Sequence, residues 1–155
     1  MNIHVGQTTE IPGVETRVVN EARKWLGTPY RHQGSRLGVG ADCLGLVRGI
    51  WRELYGTEPE QPGPYAMDWA EKGSDDRLLE AALKHFEQKD QNIESGRLVL
   101  FRWNAAALVK HAGIIVSDTS FIHAYSGVGV VESPLVTAWR KKIAGVFEFP
   151  KITTT

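Results

Sequence analysis

HAGIIVSDTSFIHAYSGVGVVES, residues 111–133, consists of short β-rich runs separated by turn residues. One further run of the same kind precedes this stretch, and another follows it. The second half of the chain therefore predicts an antiparallel sheet, with strands at 97–103, 111–117, 120–126, 128–133 and 143–149.

The first half of the chain has helical periodicity instead. Apolar residues at a spacing of three and four predict helices over 14–26 and from Asp42 to Tyr55, with a third from Leu78 to Phe86. Helices first and strands later predict an α+β fold in which N-terminal helices pack on a C-terminal antiparallel sheet. We expect one domain over 1–155, with its core at about 14–149 and an inserted loop and helix at about 57–95.

Composition excludes several classes of protein. The 155 residues include 18 Lys and Arg and 18 Asp and Glu, so the formal net charge is zero. This balance argues against a nucleic-acid-binding protein, which needs a clustered excess of cations. No signal-peptide pattern opens the chain as given, and no apolar run reaches the length of a membrane span. We therefore expect no nucleic-acid partner and no membrane insertion.

Cys43 is the single cysteine and follows Asp42, a good N-cap residue. A thiol in the first turn of a helix meets backbone N–H groups and the positive end of the helix dipole, which favour the thiolate. The charge of Asp42 opposes that effect. The plain alternative is that Cys43 is a small buried apolar residue.

A nucleophilic cysteine needs a base, and two of the five histidines lie in predicted strands. A hairpin centred on Ser117 would place His111 directly opposite His123, with their Cβ atoms about 5 Å apart. A two-residue loop or a slip of one residue would separate them onto opposite faces. The alternative is a pair of ordinary, hydrogen-bonded strand histidines.

Four motifs together resemble the NlpC-type cell-wall peptidases of the papain-like superfamily. They are TPYRHQG (28–34), ADCLGL (41–46), HAGIIV (111–116) and FIHAYSGVGVVES (121–133). The resemblance extends from about residue 14 to residue 149 and implies a papain-like fold. It implies that Cys43 is the nucleophile, that His111 is the general base and acid, and that His123 orients His111.

The same resemblance suggests two substrate-binding residues. Tyr30 would line the site and assist the oxyanion beside the backbone N–H of Cys43. Asp42 matches a residue that meets a stem-peptide amine in some members, although capping the helix explains it equally well. Many members have Ser after the cysteine, and this chain has Leu44. That difference leaves the bond preference open.

The function implied by the resemblance is a cysteine endopeptidase that cuts the peptides of peptidoglycan. The expected bond joins γ-D-glutamate to meso-diaminopimelate, and no metal or organic cofactor is required. Within the family, the tyrosine loop, the DC motif, the WRELYG helix end and the long insertion are similar to peptidases of phage and gene-transfer-agent tails. This branch implies synthesis in the cytoplasm without a signal peptide, contact with tail or baseplate proteins through residues 57–73, and action in the periplasm of a target cell.

Three alternatives stay open from the sequence. The chain could be a structural tail-hub or murein-binding module that makes little use of its site. One thiolate and two imidazoles could instead hold zinc with an open fourth position. Related papain-like acyltransferases and amidases use the same thiol chemistry on other acyl groups.

Overall fold

A computed structural model describes residues 12–59, 76–104 and 106–152 of the protein. Most of the predicted loop at 57–73 therefore lies outside the described residues. The helices are α1 (Val14–Lys24), α2 (Cys43–Tyr55), α3 (Arg77–His85) and α4 (Thr137–Arg140). The strands are β1 (Ser35–Arg36), β2 (Gly40–Ala41), β3 (Glu87–Gln88), β4 (Leu98–Phe101), β5 (His111–Ser117), β6 (Ser120–Tyr125), β7 (Gly129–Pro134) and β8 (Ile143–Glu148).

Six strands form one antiparallel sheet in the order β3-β8-β4-β5-β6-β7. The five predicted strands are β4 to β8, each within about two residues of its expected bounds. This arrangement confirms the predicted α+β class. The sequence analysis missed β3, the small β1–β2 hairpin and α4, because runs of two to four residues are too short for a periodic signal.

Two buried clusters cover the two faces of the sheet. The larger one joins the apolar stripes of α1 and α2 to alternate residues of the strands, such as Ile114 and Ile122. The smaller one contains Phe101, Ile115 and Phe121, with Trp139 of α4 packed against it. Side chains of successive strand residues point to opposite faces, so each strand of this region contributes to both clusters.

The register of the β5–β6 hairpin differs from the predicted one. Ser117 pairs with Ser120 across a two-residue loop, and a bulge before Ser117 shifts the ladder so that Ile115 pairs with Phe121. The predicted direct pairing of His111 with His123 is therefore wrong. The loop alone would place the two histidines on opposite faces of the sheet. The extra residue of the bulge shifts the pairing by one residue and returns both side chains to the same face. They lie on the same face as diagonal neighbours.

Helix α2 begins where the sequence predicts, because Asp42 caps it. The Oδ1 atom of Asp42 accepts a hydrogen bond of 2.7 Å from the backbone N–H of Gly45. Gly56 ends the helix with a φ of 81°, a conformation that glycine adopts without strain. A cap at Asp42 makes Cys43 the first residue of the helix, which fixes the place of the thiol.

Candidate active site

Cys43 is a half-buried free cysteine at the N-terminus of α2. The backbone N–H groups of Ala112, Leu44 and Cys43 itself lie near the sulfur and lower the pKa of the thiol. Burial and then the charge of Asp42 act in the opposite direction and outweigh them, raising the pKa to about 12. The helix terminus favours the thiolate, as expected, but burial and Asp42 outweigh it in the free protein. Cys43 is therefore a thiol there.

Ala112 brings Cys43 and His111 into one site, because its backbone N–H lies near the sulfur and it directly follows His111 along β5. The Nε2 atom of His111 lies 2.7 Å from the Nδ1 atom of His123. This contact engages Nε2 and makes Nδ1 the ring nitrogen of His111 that can take the proton of a thiol. The structure thus places the three predicted catalytic residues in one region, in the order Cys43, His111, His123.

Both histidines are buried, and burial sets their charge. Desolvation, followed by the neighbouring His123, lowers the pKa of His111 to about 3. Desolvation also lowers the pKa of His123 to about 4. Both imidazoles are therefore neutral at pH 7, so His111 can accept a proton.

The aromatic rings around His111 and His123 cause this burial. His123 lies 4.3 Å from the ring centroid of Phe121 and 5.3 Å from that of Trp139. His111 lies within 6.1 Å of the centroids of Trp103, Tyr125 and Trp139. Sequence reasoning assigned no role to these aromatic residues.

Tyr30 lies close enough to Cys43 and Asp42 for their charges to act on its hydroxyl group. Partial burial is the largest cause and these two charges add to it, so the pKa of Tyr30 rises to about 12. The hydroxyl therefore stays protonated at neutral pH. A protonated hydroxyl beside the nucleophile can donate to an oxyanion, the role that the sequence analysis predicts for Tyr30.

Asp42 is buried, and both carboxylate oxygens accept backbone hydrogen bonds. Oδ1 caps α2, and Oδ2 accepts a bond of 2.7 Å from the N–H of Gln33. These bonds support the capping interpretation, and they join α2 to the loop that follows Tyr30. Substrate binding by Asp42 stays a prediction.

Glycine at position 45 allows that loop to approach the helix. A Cβ atom at Gly45 would overlap the carbonyl oxygen of Gly34. Ser35 then donates a 2.7 Å hydrogen bond to the carbonyl of Gly45, and Arg52 donates to Ser35. These contacts hold the loop of Tyr30 against the start of α2, next to the nucleophile.

Leu44 replaces the serine that many NlpC-type peptidases carry after the cysteine. Its side chain is partly buried against the main core and lines a cavity of about 450 Å³ between α2, α3 and the sheet. Ala112 and Trp51 line the same cavity. A leucine here contributes apolar packing where serine would supply a hydroxyl group.

An aromatic and cationic surface lies beside His111. Trp103 stacks on His111 with ring centroids 6.0 Å apart and planes at 21°. The Nζ atoms of Lys110 and Lys142 lie 5.9 and 5.7 Å from the Trp103 centroid. The neutral chain is therefore locally cationic at this edge of the site.

The zinc alternative requires three ligands around one centre. Within the described ranges, no group of three His, Cys, Asp or Glu side chains could hold a metal ion. His111 and His123 direct two of their ring nitrogens at each other rather than at a shared centre.

Among the residues that the structure describes, no helix is long and apolar enough to cross a membrane.

Comparison with known proteins identifies the family. The model of the NlpC/P60 family matches residues 27–148, so the chain belongs to this family. A crystal structure of an NlpC/P60 family protein from Bacillus cereus matches with a TM-score of 0.62 and 22% identity, covering 93% of this chain and 42% of that one. The NlpC/p60 domain of the peptidoglycan hydrolase SagA matches with a TM-score of 0.59 and 23% identity, covering 87% of this chain and 98% of that one. These similarities confirm the predicted papain-like fold.

Two similar proteins carry names that state an activity. The murein DD-endopeptidase MepS/murein LD-carboxypeptidase of Escherichia coli K12 is 29% identical over 136 residues, which cover 83% of this chain and 59% of that protein. The gamma-DL-glutamyl hydrolase of Bacillus subtilis is 30% identical over 149 residues, covering 94% of this chain and 31% of that protein. The chain thus spans about three fifths of the Escherichia coli protein and about a third of the Bacillus subtilis protein.

Proposed function

We propose that the protein is a cysteine endopeptidase that hydrolyses the stem peptides of peptidoglycan. The observation that carries the proposal is the arrangement of Cys43 beside Ala112 with the 2.7 Å contact between His111 and His123. A thiol, a neutral imidazole and a second imidazole that orients the first are the groups that acyl transfer by cysteine requires. Membership of the NlpC/P60 family and the activities named for its relatives support murein as the substrate.

The charges of the free site set the starting point of the reaction. Cys43 begins as a thiol and His111 as a neutral base, so His111 takes the thiol proton while the sulfur attacks the peptide carbonyl. The backbone N–H of Cys43 and the hydroxyl of Tyr30 donate to the oxyanion. His111 then gives its proton to the leaving amine and activates the water that releases the acyl group.

The bond we propose lies between γ-D-glutamate and meso-diaminopimelate. His111 protonates the leaving amine, so the surface beside His111 faces the leaving side of the substrate. Lys110, Lys142 and Trp103 make that surface cationic and aromatic. Diaminopimelate carries carboxylates beyond the cleaved bond, and these would meet the lysines.

Digestion of purified Gram-negative peptidoglycan by the protein and by its Cys43→Ala variant tests both parts of the proposal. We expect only the wild type to release muropeptides, with new termini on D-glutamate and diaminopimelate identified by mass spectrometry. New termini on other residues would contradict the proposed bond and still support a cysteine peptidase. Binding of murein without release by either protein would favour the alternative, a structural or murein-binding module.

We further propose that a phage-like tail carries the enzyme to the periplasm of a target cell. The resemblance of the tyrosine loop, the DC motif and the WRELYG helix end to tail peptidases supports this location. Density-gradient sedimentation of tail particles followed by immunoblotting tests it. The protein should sediment with tail or baseplate components, and its recovery only as free monomer would contradict the proposal.

A further inference from the structure

Ser133 continues the chain of hydrogen-bonding groups beyond His123. Its Oγ atom lies 2.8 Å from the Nε2 atom of His123, while Nδ1 of the same ring lies 2.7 Å from His111. Ser133 belongs to β7, the edge strand, and pairs with Phe121, two residues from His123. Both nitrogens of His123 therefore have a partner, and the two partners lie on different strands.

Proton transfer from Cys43 fixes which group donates and which accepts in each of these hydrogen bonds. A thiol that donates to Nδ1 of His111 requires the proton of His111 to be on Nε2. The imidazolium that forms during attack carries protons on both nitrogens, so its Nε2 also donates. In both states Nδ1 of His123 must accept, and the proton of His123 must be on Nε2. The group at Nε2 must then accept a hydrogen bond, which the Ser133 hydroxyl can do.

Hydrogen bonds that run in the opposite direction would leave His111 unable to act as a base. If His123 carried its proton on Nδ1, it would donate to Nε2 of His111, and the proton of His111 would move to Nδ1. His111 would then present an N–H to the thiol and could not act as its base. The tautomer of His123 thus decides whether His111 can take the proton of Cys43.

We propose that Ser133 is a positioning residue that accepts a hydrogen bond from Nε2–H of His123 and so holds His111 in the tautomer that the Cys43 thiol needs. This role rests on the proposed peptidase function for its effect on rate, but the tautomer itself can be observed without substrate. Ser133 touches no reacting atom, and its effect passes through two imidazole rings.

Thr and Val at position 133 provide a matched pair of variants. Threonine keeps a hydroxyl group, whereas valine has nearly the same shape and none, and both residues suit a strand. We expect Ser133→Thr to keep a kcat near the wild-type value and Ser133→Val to lose roughly three- to tenfold, the range of one ordinary hydrogen bond. The KM should change little. Equal kcat values for the two variants would overturn the proposal.

Nitrogen-15 NMR of the imidazole rings reads the tautomer directly. At pH 7 the ring of His123 should show a protonated Nε2 and an unprotonated Nδ1 in the wild type and in Ser133→Thr, with a mixture of tautomers in Ser133→Val. The His123→Asn spectrum assigns the resonances. A proton on Nδ1 in the wild type, or an unchanged tautomer in Ser133→Val, would overturn the assignment. If the protein failed to cleave murein, the proposed function would fall, and the NMR result would still decide the role of Ser133.

Discussion

Gly113 packs against His123 across the β5–β6 pair, and there is no room here for a side chain at position 113. A Cβ atom at Gly113 would lie 3.3 Å from the Cβ atom of His123 and 2.9 Å from Cδ2 of Phe121. The glycine therefore occupies the position directly across from His123, and His111 reaches His123 diagonally. A side chain at position 113 would therefore press on His123, the residue that contacts His111.

The first prediction concerns this position. Gly113→Ala should force His123 and Phe121 to move, because both contacts are tighter than ordinary van der Waals distances. We expect a loss of roughly tenfold or more in kcat/KM and about 1–3 kcal/mol in the free energy of unfolding. Ile115→Val, on the same strand and face, should cost about 1 kcal/mol and keep activity. Equal activities for the two variants would show that the histidine pair tolerates the displacement.

The second prediction concerns the resting charge of Cys43. Its pKa of about 12 means that little thiolate exists at neutral pH, so alkylation by iodoacetamide should be slow at pH 7 and accelerate as the pH rises. Cys43 is the single cysteine, so intact mass reports the reaction directly, and Cys43→Ala supplies the blank. Fast alkylation that is independent of pH between about 5 and 8 would instead reveal a preformed thiolate and imidazolium pair.

The third prediction links the buried histidines to stability. Unfolded histidine takes up a proton below about pH 6.5, whereas His111 and His123 resist protonation until about pH 3 and 4. The unfolded state therefore binds more protons, and stability must fall as the pH drops below 6.5. At pH 5 the loss should reach up to about 2 kcal/mol for each histidine.

Urea unfolding at pH 7.5 and pH 5 measures this loss. The lowered pKa values of Glu58 and Glu132 reduce stability mainly below the ordinary pKa of 4.5, so these groups add little to the difference between pH 7.5 and pH 5. His123→Asn removes one of the two titrating groups and should reduce the slope of stability against pH. An equal slope in the variant and the wild type would contradict the assignment.

The fourth prediction concerns the cationic surface beside His111. Lys142→Gln should raise the KM roughly three- to tenfold for a peptide with free diaminopimelate carboxylates, because one charge-assisted contact is lost. The same variant should leave the KM unchanged for the peptide with amidated carboxylates. Lys141→Gln makes the same change of charge on the exposed neighbouring residue and serves as the control. Equal effects on the two peptides would show that Lys142 does not meet these carboxylates.

Local sequence signals were sufficient for the helices, the strands and the cap at Asp42. Apolar periodicity reports which face of an element is buried, and Asp42 lies three residues before the Gly45 N–H that it caps. The same signals place Cys43 at the first turn of α2, which the structure bears out. The roles of Cys43, His111, His123, Tyr30 and Asp42 stay predictions that activity measurements must test.

The register of β5 and β6 could not be predicted, because it depends on a bulge that nothing in the sequence marks. Apolar residues surround the bulge on both strands, so several pairings bury similar surfaces. Ser133 was missed for a related reason, since its contact with His123 depends on how β7 pairs with β6. The motif HAGI carried a usable signal at Gly113, because glycine inside a strand often marks close approach of another group.

The most direct test of the account is the initial rate of hydrolysis of the synthetic peptide L-Ala-γ-D-Glu-meso-diaminopimelate by the wild type, Cys43→Ala and His111→Gln. The account predicts turnover by the wild type, none by Cys43→Ala, and a loss on the order of a thousandfold or more in His111→Gln, because the nucleophile and its base act as a unit. Circular dichroism confirms that the variants are folded. Hydrolysis by folded Cys43→Ala at the wild-type rate would contradict the assignment of Cys43 as the nucleophile.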